Sequence, residues 1–593
     1  MKVIKKILIW RVRHISDKQF IYLLSVLVGF TSGVGAVVLK NLTHLIQHFL
    51  EGNLVKEYHH AFYFLFPIIG FALVYLVMKY VIRRKVSHGI PSTLYAISKM
   101  KGIIKRHQMF GSILTAPITI GFGGSVGLEG PTVATGAAIS SNISQLFHMN
   151  QKTKTLLIGC AAAGALSSIF KAPIAAIIFA IEVFSLDLTI ASMLPLLLAS
   201  LSAIFTSYFF FGSDILLPFT IEDKFSFKDI PFYAILGVLA AVTSIYFTEV
   251  YERVQKLFDE IKSPISKFVV GGAAIGILIY FIPPLYGEGF DVMNNLIAGN
   301  PEKALENNFL HLDLKNIWTV IGLLAGLVFF KIIASAITFG AGGVGGIFAP
   351  TLFMGSIMGN CIAKLINNVG VFGSHTVSES NFTLVGMAGL MAGVLHAPLT
   401  AIFLIAEVTG GYDLFIPLML TATISFAVTK YFNPHSVYTM ELGRKGELIT
   451  HDKDHAVLTL MDIDSVIEEN FAKVYPRMYL GEIVNKAVVK SKRNIFPVVN
   501  PNSETLVGVI LLDDIRNIMF DRNLYNEIVA KDIMQQPPEV IDIEKDKMTV
   551  IMQKFQDSNA WNLPVVRNGK YIGFISKSKL LTAYRRKLIN ITH

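Results

Sequence analysis

A lone carboxylate sits among glycines in Gly123-Gly124-Ser125-Val126-Gly127-Leu128-Glu129-Gly130-Pro131. Between His107 and Gln151, with His counted as neutral, Glu129 is the only residue with a formal charge. The flanking sequence is apolar enough to lie in a membrane, where an ionisable side chain is costly and marks a functional site. Proline is tolerated at the first position of a helix, and glycine lets the backbone enter by an unusual path. Glu129 is therefore predicted at the N-terminus of a helix that begins inside the membrane. The alternative is a buried carboxylate satisfied by those same helix amides, with no moving part.

Two more stretches combine glycine and proline ahead of a helix-like run: Gly89-Ile90-Pro91 and Gly345-Gly346-Ile347-Phe348-Ala349-Pro350. A helix N-terminus carries about half a positive charge, and its free amides bind anions. Three such ends converging at mid-depth would hold a small anion without a lysine or arginine. A full positive charge would hold it too tightly, because conduction needs release as well as binding. The Glu129 carboxylate is itself an anion beside that site. It can occupy the anion's place, and protonation would free the path. The chemistry predicted is an anion pathway gated by a carboxylate.

The elements that must carry these stretches are membrane helices. The chain has 593 residues, 53% hydrophobic and only 16% charged, against about a quarter charged in average globular chains. Apolar runs recur at 20–38, 61–82, 155–184, 190–211, 232–247, 268–282, 317–337, 382–406 and 414–432. Many reach the roughly twenty residues needed to span a bilayer. The basic amino terminus, with Lys2, Lys5, Lys6, Arg11, Arg13 and Lys18, reads as cytoplasmic and not as a signal peptide. The net charge of +10 is topology rather than nucleic-acid binding. Cys160 and Cys361 lie in apolar runs and read as small core residues, not as a disulfide or metal site.

The membrane part repeats itself. Lys171-Ala172-Pro173 through Glu182-Val183 matches His396-Ala397-Pro398 through Glu407-Val408 at one fixed offset. The 345–350 stretch is the counterpart of the run ending in Pro131. Two halves with Gly/Pro-broken segments in corresponding places point to a transporter-type site near the midplane. Periodicity does not say whether the repeats are parallel or inverted. Glu182 and Glu407, placed symmetrically near the ends of apolar runs, read as structural hydrogen-bonding or packing groups more than substrate contacts.

Past Phe432 the character changes. The membrane part spans 1–440, a linker 441–464, and a soluble α/β tail 465–593 with its own repeat, at about 465–528 and 529–593. Phe496-Pro497-Val498-Val499 and Leu563-Pro564-Val565-Val566 each begin a strand, turn, strand and helix start.

Residues 20–440 resemble the CLC family of chloride channels and chloride/proton antiporters. The resemblance rests on Ser87-His88-Gly89-Ile90-Pro91, Gly127-Leu128-Glu129-Gly130-Pro131, the 345–350 stretch and Tyr438. The tail resembles a pair of CBS domains. The fold implied is an all-α polytopic membrane protein of two inverted helical repeats with broken and re-entrant helices, plus a cytoplasmic α/β CBS pair. A homodimer with one pore per subunit is implied, in a prokaryotic inner membrane with both termini cytoplasmic. Glu129 would be the gate. Anion contacts would come from Ser87, His88, Gly89, Ile90, Gly127, Leu128, Gly130, Ile347, Phe348 and Tyr438. No cofactor is required for transport. An adenine nucleotide is the ligand implied for the tail, with Asp514, Ser576 and Lys579 as its contacts; the other reading makes the tail a dimerisation platform without ligand.

Three departures from the family pattern stand out. His88 takes the usual serine's place, one residue after Ser87. Leu128 replaces the arginine before the glutamate, with a modest effect expected. Val183 occupies the position where antiporters commonly carry an internal proton-relay glutamate, and valine carries no proton. This tilts the expectation toward passive, Glu129-gated conduction of chloride or a similar small anion, with proton-coupled chloride exchange through the same glutamate as the alternative. A membrane enzyme would need a nucleophile–base pair or metal ligands within the spans, and none is evident. A nucleotide sensor on an inert anchor leaves the three broken helices unexplained. His88 itself titrates near neutrality. If it lines the pathway, anion flux from a His88→Ser variant should lose its dependence on cytoplasmic pH; an unchanged profile would mean that the imidazole points away and backbone amides serve the anion.

Overall fold

The structure, a computed structural model, describes residues 11, 13–50, 59–84, 86, 89–212, 225–305, 313–369, 376–444, 457–458 and 461–592. It divides into two units, Met1–Lys445 and Gly446–His593. In the first unit, nine helices among the described residues are long and apolar enough to cross a membrane. Asp17–Leu50, Ile190–Phe211, Pro264–Phe281 and Ile317–Gly340 are among them, and they follow the apolar runs of the sequence.

Two runs that read as continuous are in fact broken. The first is a helix Gln151–Phe170 followed by Pro173–Phe184, and the second is Glu379–Leu395 followed by Pro398–Val408. Lys171 and His396 make the breaks, each at a φ of 55°, a left-handed conformation that residues other than glycine seldom adopt. Proline two residues on restarts the helix, since its missing N–H costs nothing there. The resulting helices of 12 and 11 residues are too short to span about 30 Å of hydrocarbon.

Each short helix is capped by the other. The Glu182 carboxylate accepts from the amides of Leu399 at 3.0 Å and Thr400 at 2.8 Å. Glu407 accepts from Ile174 at 3.0 Å and Ala175 at 2.8 Å. A helix N-terminus leaves its first amides without intrahelical partners and favours negative charge, so both carboxylates are structural caps.

Small residues allow the closest helix crossings. Phe348–Val369 and Glu379–Leu395 pack almost backbone to backbone. A Cβ at Gly359 would lie 2.0 Å from the Phe382 carbonyl oxygen, and one at Gly386 would lie 2.4 Å from that of Gly355. Membrane helices gain their association from such close packing, since lipid supplies no hydrophobic contrast.

The second unit holds two hairpins. β1 is Ile467–Glu468, β2 Ile495–Val499, β3 Leu506–Leu511, β4 Ile541–Asp542, β5 Asn562–Arg567 and β6 Lys570–Ser576. β2 and β3 form an antiparallel pair, and the other four form a sheet in the order β1-β6-β5-β4. The two-residue β5–β6 turn is Asn568-Gly569, both at positive φ, as a tight hairpin requires. β1 opens the first repeat in sequence yet pairs with the last strand of the second, Ile467 opposite Ile575. Phe471, Ile495, Val499, Val509, Tyr571 and Phe574 fill one core drawn from both repeats.

The Gly359 crossing makes a measurable claim. Gly359→Ala is expected to destabilise the detergent-solubilised protein by about 1–3 kcal/mol, the usual cost of overpacking. Gly326 has nothing within 4 Å of where its Cβ would stand, so Gly326→Ala should leave stability unchanged or slightly raised. Thermal unfolding of the two variants checks this, and equal shifts would refute it.

Candidate functional site

The two glycine stretches meet through their backbones. Gly127 N–H donates to the Gly346 carbonyl at 2.9 Å, and Gly346 N–H donates back to Gly127 at 2.8 Å. Gly123 and Gly342 both turn the chain at a φ of 93°. Each loop is pinned by a threonine from the other half: Ser125 N–H donates to Thr338 Oγ1 at 3.1 Å, and Val344 N–H to Thr119 Oγ1 at 3.0 Å. Helices Glu129–Leu146 and Phe348–Val369 start from this clamp. The third start, Gly89–Lys99, comes against it. A Cβ at Gly89 would lie 3.2 Å from the Gly130 Cα, and one at Gly130 would lie 3.0 Å from the Gly346 Cα.

A cavity of about 30 Å³ lies where the three starts converge, walled by Gly89, Ile90, Gly130, Gly346, Ile347 and Tyr438. That is room for one small occupant, since a single water needs roughly 10–15 Å³ by the same measure. The Tyr438 hydroxyl is buried and has no hydrogen-bond partner. Glu129 is fully buried, and neither of its carboxylate oxygens has a partner. Its own amide and that of Ala349, in the first turn of the facing helix, lie near it without closing a hydrogen bond of regular geometry. Buried polar groups are almost always hydrogen-bonded, so two orphaned oxygens and an orphaned hydroxyl at one place need an explanation.

On the other side of the Glu129 helix start is a wide cavity of about 790 Å³, reaching Leu128 and Thr132. Glu288, in the connection after Pro264–Phe281, is set into its wall and accepts the Leu128 amide at 2.8 Å. Lys331, fully buried in the span Ile317–Gly340, holds this connection in place. Its Nζ donates to the Gly287 carbonyl at 2.9 Å and to that of Leu285 at 3.4 Å. Ser125 Oγ adds a bond to Leu285 at 2.7 Å. Burial outweighs the Leu128 amide and the charges of Lys40 and Lys331, and the Glu288 carboxyl is pushed up to about 7.

Glu129, Gly89, Ile90, Gly130, Ile347 and Tyr438 are thus brought together, and Phe348 begins the facing helix directly after Ile347. Two expected anion contacts have other partners: the Gly127 amide is bonded to Gly346, and the Leu128 amide to Glu288. Ser87 and His88 lie outside the described residues. Val183 is buried within its helix. Glu288 and Lys331 escaped the sequence reading. The available signals were an acid between two glycines, and a lone lysine inside an apolar run.

In the tail, the three nucleotide candidates are engaged within the protein. Asp514 accepts from the Leu511 amide at 2.9 Å and from Gln535 at 2.8 Å. Ser576 donates to Glu468 at 2.6 Å, and Lys579 Nζ to the Ile467 carbonyl at 3.0 Å. Both of the latter bonds tie β1 to the second repeat.

Residues 69–430 match the family model described as voltage gated chloride channel, and residues 530–586 match the CBS domain. A protein of Ralstonia nicotianae, described as ClcB-like, is 28% identical over 64% of this chain and 85% of its own length. The H(+)/Cl(-) exchange transporter ClcA of Salmonella paratyphi B is 27% identical over 72% of this chain and 88% of its own. The solved structure of a slow cyanobacterial Cl-/H+ antiporter superposes with a TM-score of 0.62 at 23% identity, over 73% of this chain and 98% of that one. A eukaryotic CLC transporter aligns over 94% of this chain and 97% of its own, with a TM-score of 0.56 and 18% identity. Converging helix starts, a buried carboxylate at their junction and a family match over most of the membrane part lead to one assignment: the chain is a multi-pass membrane protein of the voltage-gated chloride channel (CLC) family of anion transporters, with a CBS tail.

Proposed function

We propose that this protein exchanges protons for chloride, with Glu129 as the group that carries the proton. The observation behind this reading is the pair of orphaned Glu129 oxygens, buried between two helix starts beside a cavity sized for one small ion. Ionised, the carboxylate lies at the positive end of the helix beginning at Phe348 and stands in for an anion there. Protonated, it loses that attraction and gives up the place. Chloride in the small cavity would be held by the amides of Ile347 and Phe348, by the helix start at Gly89 and Ile90, and by the Tyr438 hydroxyl. Anion and proton then use the same position in alternation, which is the requirement for coupling. The exchange named for the Salmonella relative supports this over passive conduction.

Val183 supports the second reading, Glu129-gated passive flow, because an apolar side chain stands at the relay position. In both readings the protein is a homodimer in a prokaryotic inner membrane, its termini in the cytoplasm. For the tail, an adenine nucleotide is the proposed ligand, as is common for CBS pairs. Binding at Ser576 and Lys579 would compete with their bonds to Glu468 and Ile467.

Liposomes containing the purified chain, given a chloride gradient while external pH is recorded, separate the two. Exchange predicts protons driven uphill by chloride and a complete loss of that movement in Glu129→Gln. Chloride flux with no accompanying proton movement would establish passive flow instead.

A further inference from the structure

Glu288 is the second carboxylate at the junction, and its placement is built. Lys331 fixes the carbonyls of Gly287 and Leu285 on either side of the turn, and Ser125 holds Leu285 as well. The turn then presents the Glu288 carboxylate to the Leu128 amide, one residue before Glu129. The charge of Glu288 acts on Glu129 through the intervening protein. Glu288 also belongs to the wall of the wide cavity, whereas Glu129 is sealed from solvent.

We propose that Glu288 is a positioning residue that sets how readily Glu129 takes up a proton, so that the gate responds to the pH of the wide cavity. It rests on the reading of Glu129 as the gate. Two neighbouring carboxylates disfavour each other's ionised form, and their protons bind as a coupled set. With Glu288 ionised, a proton on Glu129 relieves the repulsion. With Glu288 neutral, that incentive is gone. The other charged or titratable groups around Glu288 come from three other parts of the fold. Lys331 comes from the buried span and Lys40 from Asp17–Leu50. His44, His48, Asp291 and Lys303 share the cavity wall. Lys40 and Lys331 favour an ionised Glu288, against the burial that disfavours it.

The test is the pH profile of chloride efflux from liposomes containing the full chain, with equal pH on both sides. Glu288→Gln keeps an acceptor for the Leu128 amide and removes only the charge. The expected result is a midpoint shifted toward acid by about one pH unit, the usual size of a close like-charge effect. Glu288→Asp should stay near wild type. Glu288→Ala removes the charge by a second route and should shift the same way, which covers poor folding of the glutamine variant. A merely structural cap would leave the Glu288→Gln profile in place, and that result overturns the proposal. A pH dependence lost in Glu129→Gln but unmoved in Glu288→Gln refutes the role of Glu288 alone. A wild-type profile that is flat, or that survives Glu129→Gln, refutes Glu129 as the gate and the role of Glu288 with it.

Discussion

The meeting of the three helix starts depends on a pair of hydrogen bonds between two glycines. Gly127 and Gly346 exchange amide and carbonyl across the meeting point of the two repeats. A third backbone arrives at Gly89, and a Cβ at Gly346 would lie 2.7 Å from the Gly130 nitrogen. Three helix starts can share so small a volume only where side chains are absent. Glycine is the residue whose backbone allows both the left-handed turns and the close approach. The junction is therefore positive through partial charges, which are fixed in direction and need no reorganisation, and not through a cation.

Several of the full charges in the membrane part have structural duties. Lys331 lies fully buried in a span, where an ionisable group is costly, yet its ammonium group faces carbonyls of the connection after Pro264–Phe281. Glu182 and Glu407 answer helix amides. Glu129 alone among these three carboxylates is fully buried and has no partner for either oxygen. That difference separates a structural carboxylate from one that can change its position or its charge.

Much of this was legible in the sequence because glycine and proline report backbone geometry directly. The three helix starts, the repeat and the isolation of Glu129 follow from residue type and spacing. The breaks at Lys171 and His396 were not legible, since neither residue type signals a left-handed turn; only the prolines two residues later hinted at a new helix. The partners of the Gly127 and Leu128 amides were also hidden, because backbone hydrogen bonds between segments far apart in sequence leave no compositional trace. Glu288 and Lys331 stood in plain view, but their relation depends on a contact across more than forty residues. In the tail the hairpins were readable from the turn at Asn568-Gly569 and from short apolar runs on either side of each turn. The crossing of β1 into the second repeat was not, since a two-residue strand carries too little pattern.

The exchange of caps between Glu182 and Glu407 has a consequence for how such a chain can change over time. Each half supplies the group that completes the other half's short helix, so neither half is finished alone. A substitution at either glutamate damages the half that did not mutate. The duplication has become mutual dependence: the halves are free to drift apart in sequence, as they have, but not to separate or be replaced one at a time.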